Sequence, residues 1–314
     1  MFFLIFVLQF CRLILAEFDF VQYGETEEFS NYMNNASLIL KELFITREYE
    51  KELAPIFVPM PVNFSNSETK RMRVDLLLSY VRVFNLDAEK QRFNTRLEIE
   101  MSWRDPRLVW DKADFGGVDS IVTTAEKLWI PDTVVSNARV LDEVSGIAAQ
   151  GAQIYSNGSI FLTTAYYSET ACSINANKFP FDKQNCSLPI LSLSMQPQWI
   201  SLWPRVLPDL ENNFEGNGEW EVIAAIPVTY SITAKQPLEV VAFMITIKRE
   251  PNFYVYLAIG LTSLVSMTVL LDMLADAIPK TRVFPLLGIY VVVCVAITSV
   301  ACISQPISGQ ESEI

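Results

Sequence analysis

The chain contains no histidine in its 314 residues. Without an imidazole there is no Ser-His-Asp or Cys-His nucleophile pair, and no His-ligated zinc. The glycines at 216 and 218 are not followed by Lys-Ser or Lys-Thr, so they build no phosphate loop and read as turn residues. Aspartate and glutamate are abundant, but no two stand at a spacing that marks a carboxylate pair in a soluble pocket. An enzyme is therefore not expected, nor a metal or cofactor. A basic patch is also missing. With 24 Lys and Arg against 36 Asp and Glu the net charge is −12, which excludes nucleic acid as a natural partner.

Cysteine is scarce, at five residues. Residues 1–16 read as a signal peptide: Phe2 to Leu8 is continuously apolar, Leu13 to Leu15 continue it, and Ala16 is a small residue before Glu17 and Asp19. The segment lacks a basic start and contains Arg12. Cys11 leaves with it, while Cys294 and Cys302 sit in an apolar run as small buried thiols. Cys172 and Cys186 remain as the one pair of the exported domain. They bracket thirteen residues and can close a loop of roughly 15, a staple worth about 3 kcal/mol. Its tip is apolar, with Phe179 and Phe181 flanking Pro180, where loop tips are usually polar. Such a tip needs an apolar partner surface. Asn35, Asn63, Asn157 and Asn185 each begin an N-glycosylation sequon, which fits export.

Two runs set the class. Phe253 to Leu271 carries no charge over 19 positions and Val283 to Ile303 none over 21, each long enough to cross a bilayer core of roughly 30 Å. They define a transmembrane region at 251–304, with helices at about 253–275 and 283–304 and a tail at 305–314. Residues 17–250 read mostly as strand. From 93 to 103, Phe93, Thr95, Leu97, Ile99, Met101 and Trp103 alternate with polar residues, the period of a half-buried strand. Val241, Phe243, Ile245 and Ile247 repeat this before the membrane, and Gly116-Gly117, Asn157-Gly158 and Gly216-Asn217-Gly218 mark turns. Leu40, Leu43, Phe44 and Leu53 recur at near-helical spacing and stop before Pro55, predicting one leading helix over Ser37 to Leu53. The fold expected is mainly β: an extracellular immunoglobulin-like β-sandwich with a leading helix, then an α-helical membrane portion.

The Cys-x13-Cys segment with Phe179-Pro180-Phe181-Asp182 at its centre resembles the signature loop of the Cys-loop receptors, the pentameric neurotransmitter-gated ion channels, and of their nicotinic acetylcholine receptor branch. Further motifs follow in the family's order: Trp103-Arg104-Asp105 with Arg107-Leu108 and Trp110, Phe115-Gly116-Gly117-Val118, Trp129-Ile130-Pro131-Asp132, and Lys248-Arg249-Glu250-Pro251 with Phe253-Tyr254. The resemblance covers about residues 37 to 304. It implies a multi-pass protein of the plasma membrane, at a synapse, with its N-terminal domain outside. Its partners would be membrane lipid, other channel subunits in a homo- or hetero-pentamer, and a small neurotransmitter-like ligand.

In the family, aromatic side chains box a quaternary ammonium between subunits through cation–π attraction. Here the box positions fall at Glu98, Ser136, Leu193, Tyr230 and Leu238, and Ile232-Thr233 replace the adjacent cysteine pair. Tyr230 alone is aromatic. Each lost ring forfeits about 0.5–2 kcal/mol, so the resemblance implies an accessory subunit or a different, uncharged or multiply polar ligand rather than acetylcholine. For coupling to the channel it implies that Arg249 pairs with an acid while the loop of Phe179, Pro180, Phe181 and Asp182 rests on the membrane portion. The candidate acids are Asp182, in the matched motif, and Glu89, in a turn between strands.

Residues Ile259 through Thr281 resemble the family's pore-lining second membrane helix, and Phe284 to Tyr290 the start of its third. Thr262, Val265, Val269, Asp272 or Met273, and Asp276 would line one side, and carboxylates at Asp272 and Asp276 would favour cations. Yet Phe253-Tyr254, the family's opening of the first helix, lies directly before this segment. The first and fourth membrane helices are missing from the pattern, and the pore-like helix runs inward where the family's runs outward. The expected function is a cation-selective ligand-gated channel subunit. The alternatives are a non-conducting, membrane-tethered accessory or dominant-negative subunit, and an adhesion protein using only the sandwich.

Overall fold

A computed structural model describes residues 26–56, 71–197, 199–208, 213–233, 237–277, 289–297 and 300. The signal peptide, Asn63, Cys302, the tail and most of the second apolar run lie outside these residues. The chain divides into two compact units: Met1–Ile56 with Trp103–Ile130 and Ile147–Leu162, and Phe57–Ser102 with Pro131–Gly146 and Thr163–Ile314.

Thr26 starts the helix of the first unit. Its hydroxyl accepts from the Phe29 N–H at 3.2 Å, and Glu27 and Glu28 set negative charge against the positive end of the helix dipole. Helix α1 spans Glu27–Lys41 and continues as a wider turn over Glu42–Thr46. Ala36, Ile39 and Leu43 form its buried stripe. The helix thus begins and ends earlier than the apolar spacing predicts. Its start is set by the Thr26 cap, its end by Glu48 in the left-handed region at φ 50°, and Leu53 lies exposed beyond it.

In the same unit β3 (Ser120–Thr124) pairs with β6 (Gly151–Tyr155), and β6 with the start of β7 (Asn157–Ala171), all antiparallel. Gly158 turns the β6–β7 hairpin at φ 81°, and a Cβ there would lie 2.5 Å from the Asp105 carbonyl oxygen. Both demands select glycine.

The second unit holds two sheets. β1 (Met72–Asp87) pairs in parallel with β9 (Ile200–Val206) and β10 (Phe214–Glu215), and on its other side lies the part of β2 (Arg92–Val109) up to Ser102, then the part of β7 from Thr163, with β5 (Ala138–Glu143). The other sheet runs in the order β11 (Trp220–Thr233), β12 (Pro237–Arg249), β8 (Lys183–Ser192) and β4 (Thr133–Val135). Phe93, Thr95, Leu97, Ile99 and Met101 are all buried, as the period of two predicts, and face the core with Val74, Leu76 and Leu78 of β1. Along β12 every residue from Val240 to Phe243 is buried, so this strand is covered on both faces and loses the alternation there. The chain is a mainly β sandwich with an N-terminal helix.

β12 passes at once into helix α2, Asn252–Ala277, which takes Tyr254 and the pore-like residues into one continuous helix. The stretch of α2 described without a gap is 254–270, and among the described residues no helix is long and apolar enough to cross a membrane.

Candidate functional site

At the end of β12 the backbone N–H of Arg249 donates to the Asp182 carbonyl at 3.1 Å, extending the β8–β12 register in which Lys248 faces Lys183. That rung puts the two side chains together, although they are 67 residues apart in sequence. Arg249 Nε donates to Asp182 Oδ1 at 2.8 Å and Nη2 to Oδ2 at 3.3 Å. The pair is nearly dry, at 5% and 2% exposure. Gln184 Nε2 adds a third donor to Asp182 Oδ2 at 2.6 Å. Burial pushes the Asp182 carboxyl up, but the Arg249 and Gln184 hydrogen bonds outweigh it and hold the carboxyl below the usual range. Burial likewise lowers the guanidinium, and Asp182 more than restores it, so Arg249 sits above its ordinary value.

Sequence reasoning missed four members of this cluster: Gln184, Glu219, Trp220 and Tyr254. Arg249 Nη1 also donates to Glu219 Oε1, and the Tyr254 hydroxyl donates to the same oxygen at 2.8 Å. The guanidinium lies 4.1 Å from the ring centroid of the fully buried Trp220 and 5.1 Å from that of Phe179. These aromatic faces attract the cation without needing its hydrogens. The local signal for Glu219 and Trp220 is the Gly216-Asn217-Gly218 turn, which the sequence marks as a turn without connecting it to Arg249. Asn217 Oδ1 accepts from the N–H groups of Glu219 and Trp220, and a Cβ on Gly216 would fall 1.9 Å from the Trp220 carbonyl oxygen. The turn therefore delivers Glu219 and Trp220 to the arginine. Glu89 lies exposed in the β1–β2 turn, and the acids around Arg249 are Asp182 and Glu219.

Cys172 and Cys186 are disulfide-bonded and buried. The bond closes the loop that carries Asp182, Pro180 after a cis peptide, and a tip with Phe179 at 52% and Phe181 at 66% exposure. The Phe179 ring meets Tyr254 of α2 edge-on, centroids 5.0 Å apart. The loop is thus fastened to both the last strand and the first helical turn. Replacing both cysteines by serine should cost about 3 kcal/mol of stability, read by denaturant unfolding under oxidising conditions. An unchanged midpoint would mean that the packed loop holds itself.

The predicted ligand positions are less gathered. Ser136 follows β4 and donates its N–H to the Pro189 carbonyl at 2.8 Å. Leu193, at the end of β8, is 74% exposed. Tyr230 is exposed on β11 and faces Val240, and Leu238 faces Ile232 at the root of the β11–β12 hairpin. Glu98 stands on the outer face of β2, where Arg96 Nη2 donates to it at 2.9 Å. No aromatic box arises from these residues, because Tyr230 is the only ring among them. On α2, Thr262, Val265, Val269 and Asp272 are exposed, the Thr262 hydroxyl donates to the Ala258 carbonyl at 2.9 Å, and the Asp276 side chain lies outside the described ones. Of the sequons, Asn157 and Asn185 are exposed, while the Asn35 amide nitrogen lies against Gly116.

In the first unit the Asp105 of the Trp-Arg-Asp motif is buried and pairs with the partly exposed Arg107. Arg107 Nη2 donates to Asp105 Oδ2 at 2.7 Å and its Nε to Oδ1 at 3.0 Å. The Tyr49 hydroxyl donates to Asp105 Oδ2 and accepts from the Trp129 N–H. Burial, with the Asp105 charge, raises the Tyr49 phenol to about 12.

The neurotransmitter-gated ion-channel ligand binding domain matches residues 37–251 of this chain. Among similar curated proteins, the acetylcholine receptor subunit delta of Gallus gallus is 31% identical over 243 residues, covering 71% of this chain and 45% of that protein. The Xenopus laevis delta subunit is 25% identical over 316 residues, covering 84% and 58%. The neuronal acetylcholine receptor subunit beta-4 of Bos taurus is 29% identical over 192 residues, covering 60% and 38%. The chain spans about half the length of the curated relatives it matches. With its disulfide loop docked on the last strand, its mainly β sandwich and this match over most of its length, the chain belongs to the Cys-loop receptor family as a nicotinic acetylcholine receptor-like subunit.

Proposed function

We propose that this chain serves as a subunit of a pentameric, extracellular ligand-gated ion channel of the plasma membrane. Motion caused by ligand passes through the disulfide loop into α2, whose sequence from Phe253 to Leu271, uncharged over 19 positions, supports the reading of it as a membrane segment. The observation that carries this is the double fastening of the loop: Asp182 to Arg249 at the end of β12, and Phe179 to Tyr254 in the first turn of α2. A displacement of the sandwich thereby reaches the helix without a flexible joint. Asp272 and Asp276 on α2 supply the carboxylates that make the pore cation-selective.

The ligand contacted by this chain is not acetylcholine bound in the usual aromatic box, since Glu98, Ser136, Leu193 and Leu238 stand where rings would be needed. Labelled acetylcholine should therefore show no micromolar binding to the chain expressed alone in cell membranes. Micromolar affinity that disappears on Tyr230→Ala would overturn this assignment. The direct passage of β12 into α2 favours a second role, that of a non-conducting accessory or dominant-negative subunit, because it sends the pore-like segment from outside to inside. Voltage-clamp recording from cells expressing the chain alone and together with a nicotinic subunit separates the two. Ligand-evoked current from this chain establishes the channel, while suppressed current from the partner subunit establishes the accessory role.

A further inference from the structure

We propose that the tip of the disulfide loop seats in the headgroup layer of a phospholipid bilayer, with Phe181 as its apolar anchor and Lys178 and Lys183 favouring anionic lipid. This rests on α2 being a membrane helix. The level of the tip follows from the register: Lys183 faces Lys248, Asp182 meets Arg249, and α2 starts at Asn252. Phe179 touches Tyr254 in the first helical turn. The tip therefore lies level with the point where α2 enters the apolar phase, and this is where aromatic rings collect at membrane surfaces. Phe179 is engaged by Arg249 and Tyr254, whereas Phe181 is 66% exposed and leads the loop outward.

Charge points to the same partner. The chain as a whole carries −12, and an anionic surface repels most of it. The disulfide loop differs. Asp182 is buried against Arg249, so the charges the loop exposes are Lys178 and Lys183, both positive. Two lysines beside an exposed phenylalanine form the combination that gains from apolar contact and from anionic headgroups together.

The test uses the full chain reconstituted in vesicles of phosphatidylcholine with phosphatidylglycerol, with photoreactive p-benzoylphenylalanine in place of Phe181. A control carries the same group in place of Leu193, at the far end of β8. Illumination followed by mass spectrometry should give a phospholipid adduct at position 181 and none at 193. Lys178→Glu with Lys183→Glu should lower the yield about fivefold or more, and phosphatidylcholine alone should lower it similarly. Carbonate extraction reports separately on α2. A carbonate-resistant chain whose position 181 links only to protein overturns the lipid contact and leaves the membrane helix standing. A carbonate-extractable chain overturns both. An adduct whose yield ignores the lysines and the anionic lipid overturns the headgroup preference.

Discussion

Arg249→Ala should destabilise the second unit by about 3–5 kcal/mol, because it leaves the Asp182 carboxylate buried without its cation. Denaturant unfolding of the detergent-solubilised protein reads the loss, and surface labelling of expressing cells reads its consequence for assembly. Arg249→Lys keeps the charge but cannot serve Asp182 and Glu219 with one planar fork, so it should fall between. The damage should be pH-dependent in the intact protein as well. The Asp182 carboxyl is held below its unfolded value of about 3.9, so its contribution is fully present above that pH and is lost as pH falls through the folded value. Asp182→Asn should accordingly flatten the acid limb of the stability profile. Wild-type stability and surface level for Arg249→Ala would show that the cluster is dispensable.

In the first unit Arg107→Ala should cost about 3–5 kcal/mol, since Asp105 is completely buried and would keep the Tyr49 hydroxyl as its remaining side-chain partner. Tyr49 couples to the same pair through its hydrogen bond to Asp105 and its ring, which lies 4.5 Å from the Arg107 guanidinium. A double-mutant cycle of Arg107→Ala with Tyr49→Phe should therefore be non-additive. The phenol near 12 adds a signature at the alkaline end. A folded value raised above the unfolded one near 10 gives stability that is present below pH 10 and lost as pH rises through 12. Tyr49→Phe should remove that alkaline loss, and strictly additive mutations would mean that the tyrosine does not share the network.

Much of this was legible where the signal is local. The strict alternation from Phe93 to Trp103 specifies one buried face whatever the rest of the chain does, and β2 follows it residue by residue. The Asn157-Gly158 turn and the cysteine pair are of the same kind. The start of α1 was local too, but it lay in Thr26 and its acidic first turn rather than in the apolar spacing downstream. Glu219, by contrast, follows a turn that the sequence marks, but nothing nearby in the chain ties that turn to Arg249. Its place beside Arg249 follows from the β11–β12 register, in which Trp220 faces Arg249.

The sequence by itself determined the family, the β character of the domain and the disulfide loop, because each rests on residues close together in the chain or on a fixed period of two. Only the tertiary structure decided that Glu219 joins Asp182 at Arg249, and that Phe179 is engaged while Phe181 is free to project. Those outcomes depend on which rungs of β8, β11 and β12 come level, and strand register is set by the packing of whole faces rather than by any one residue.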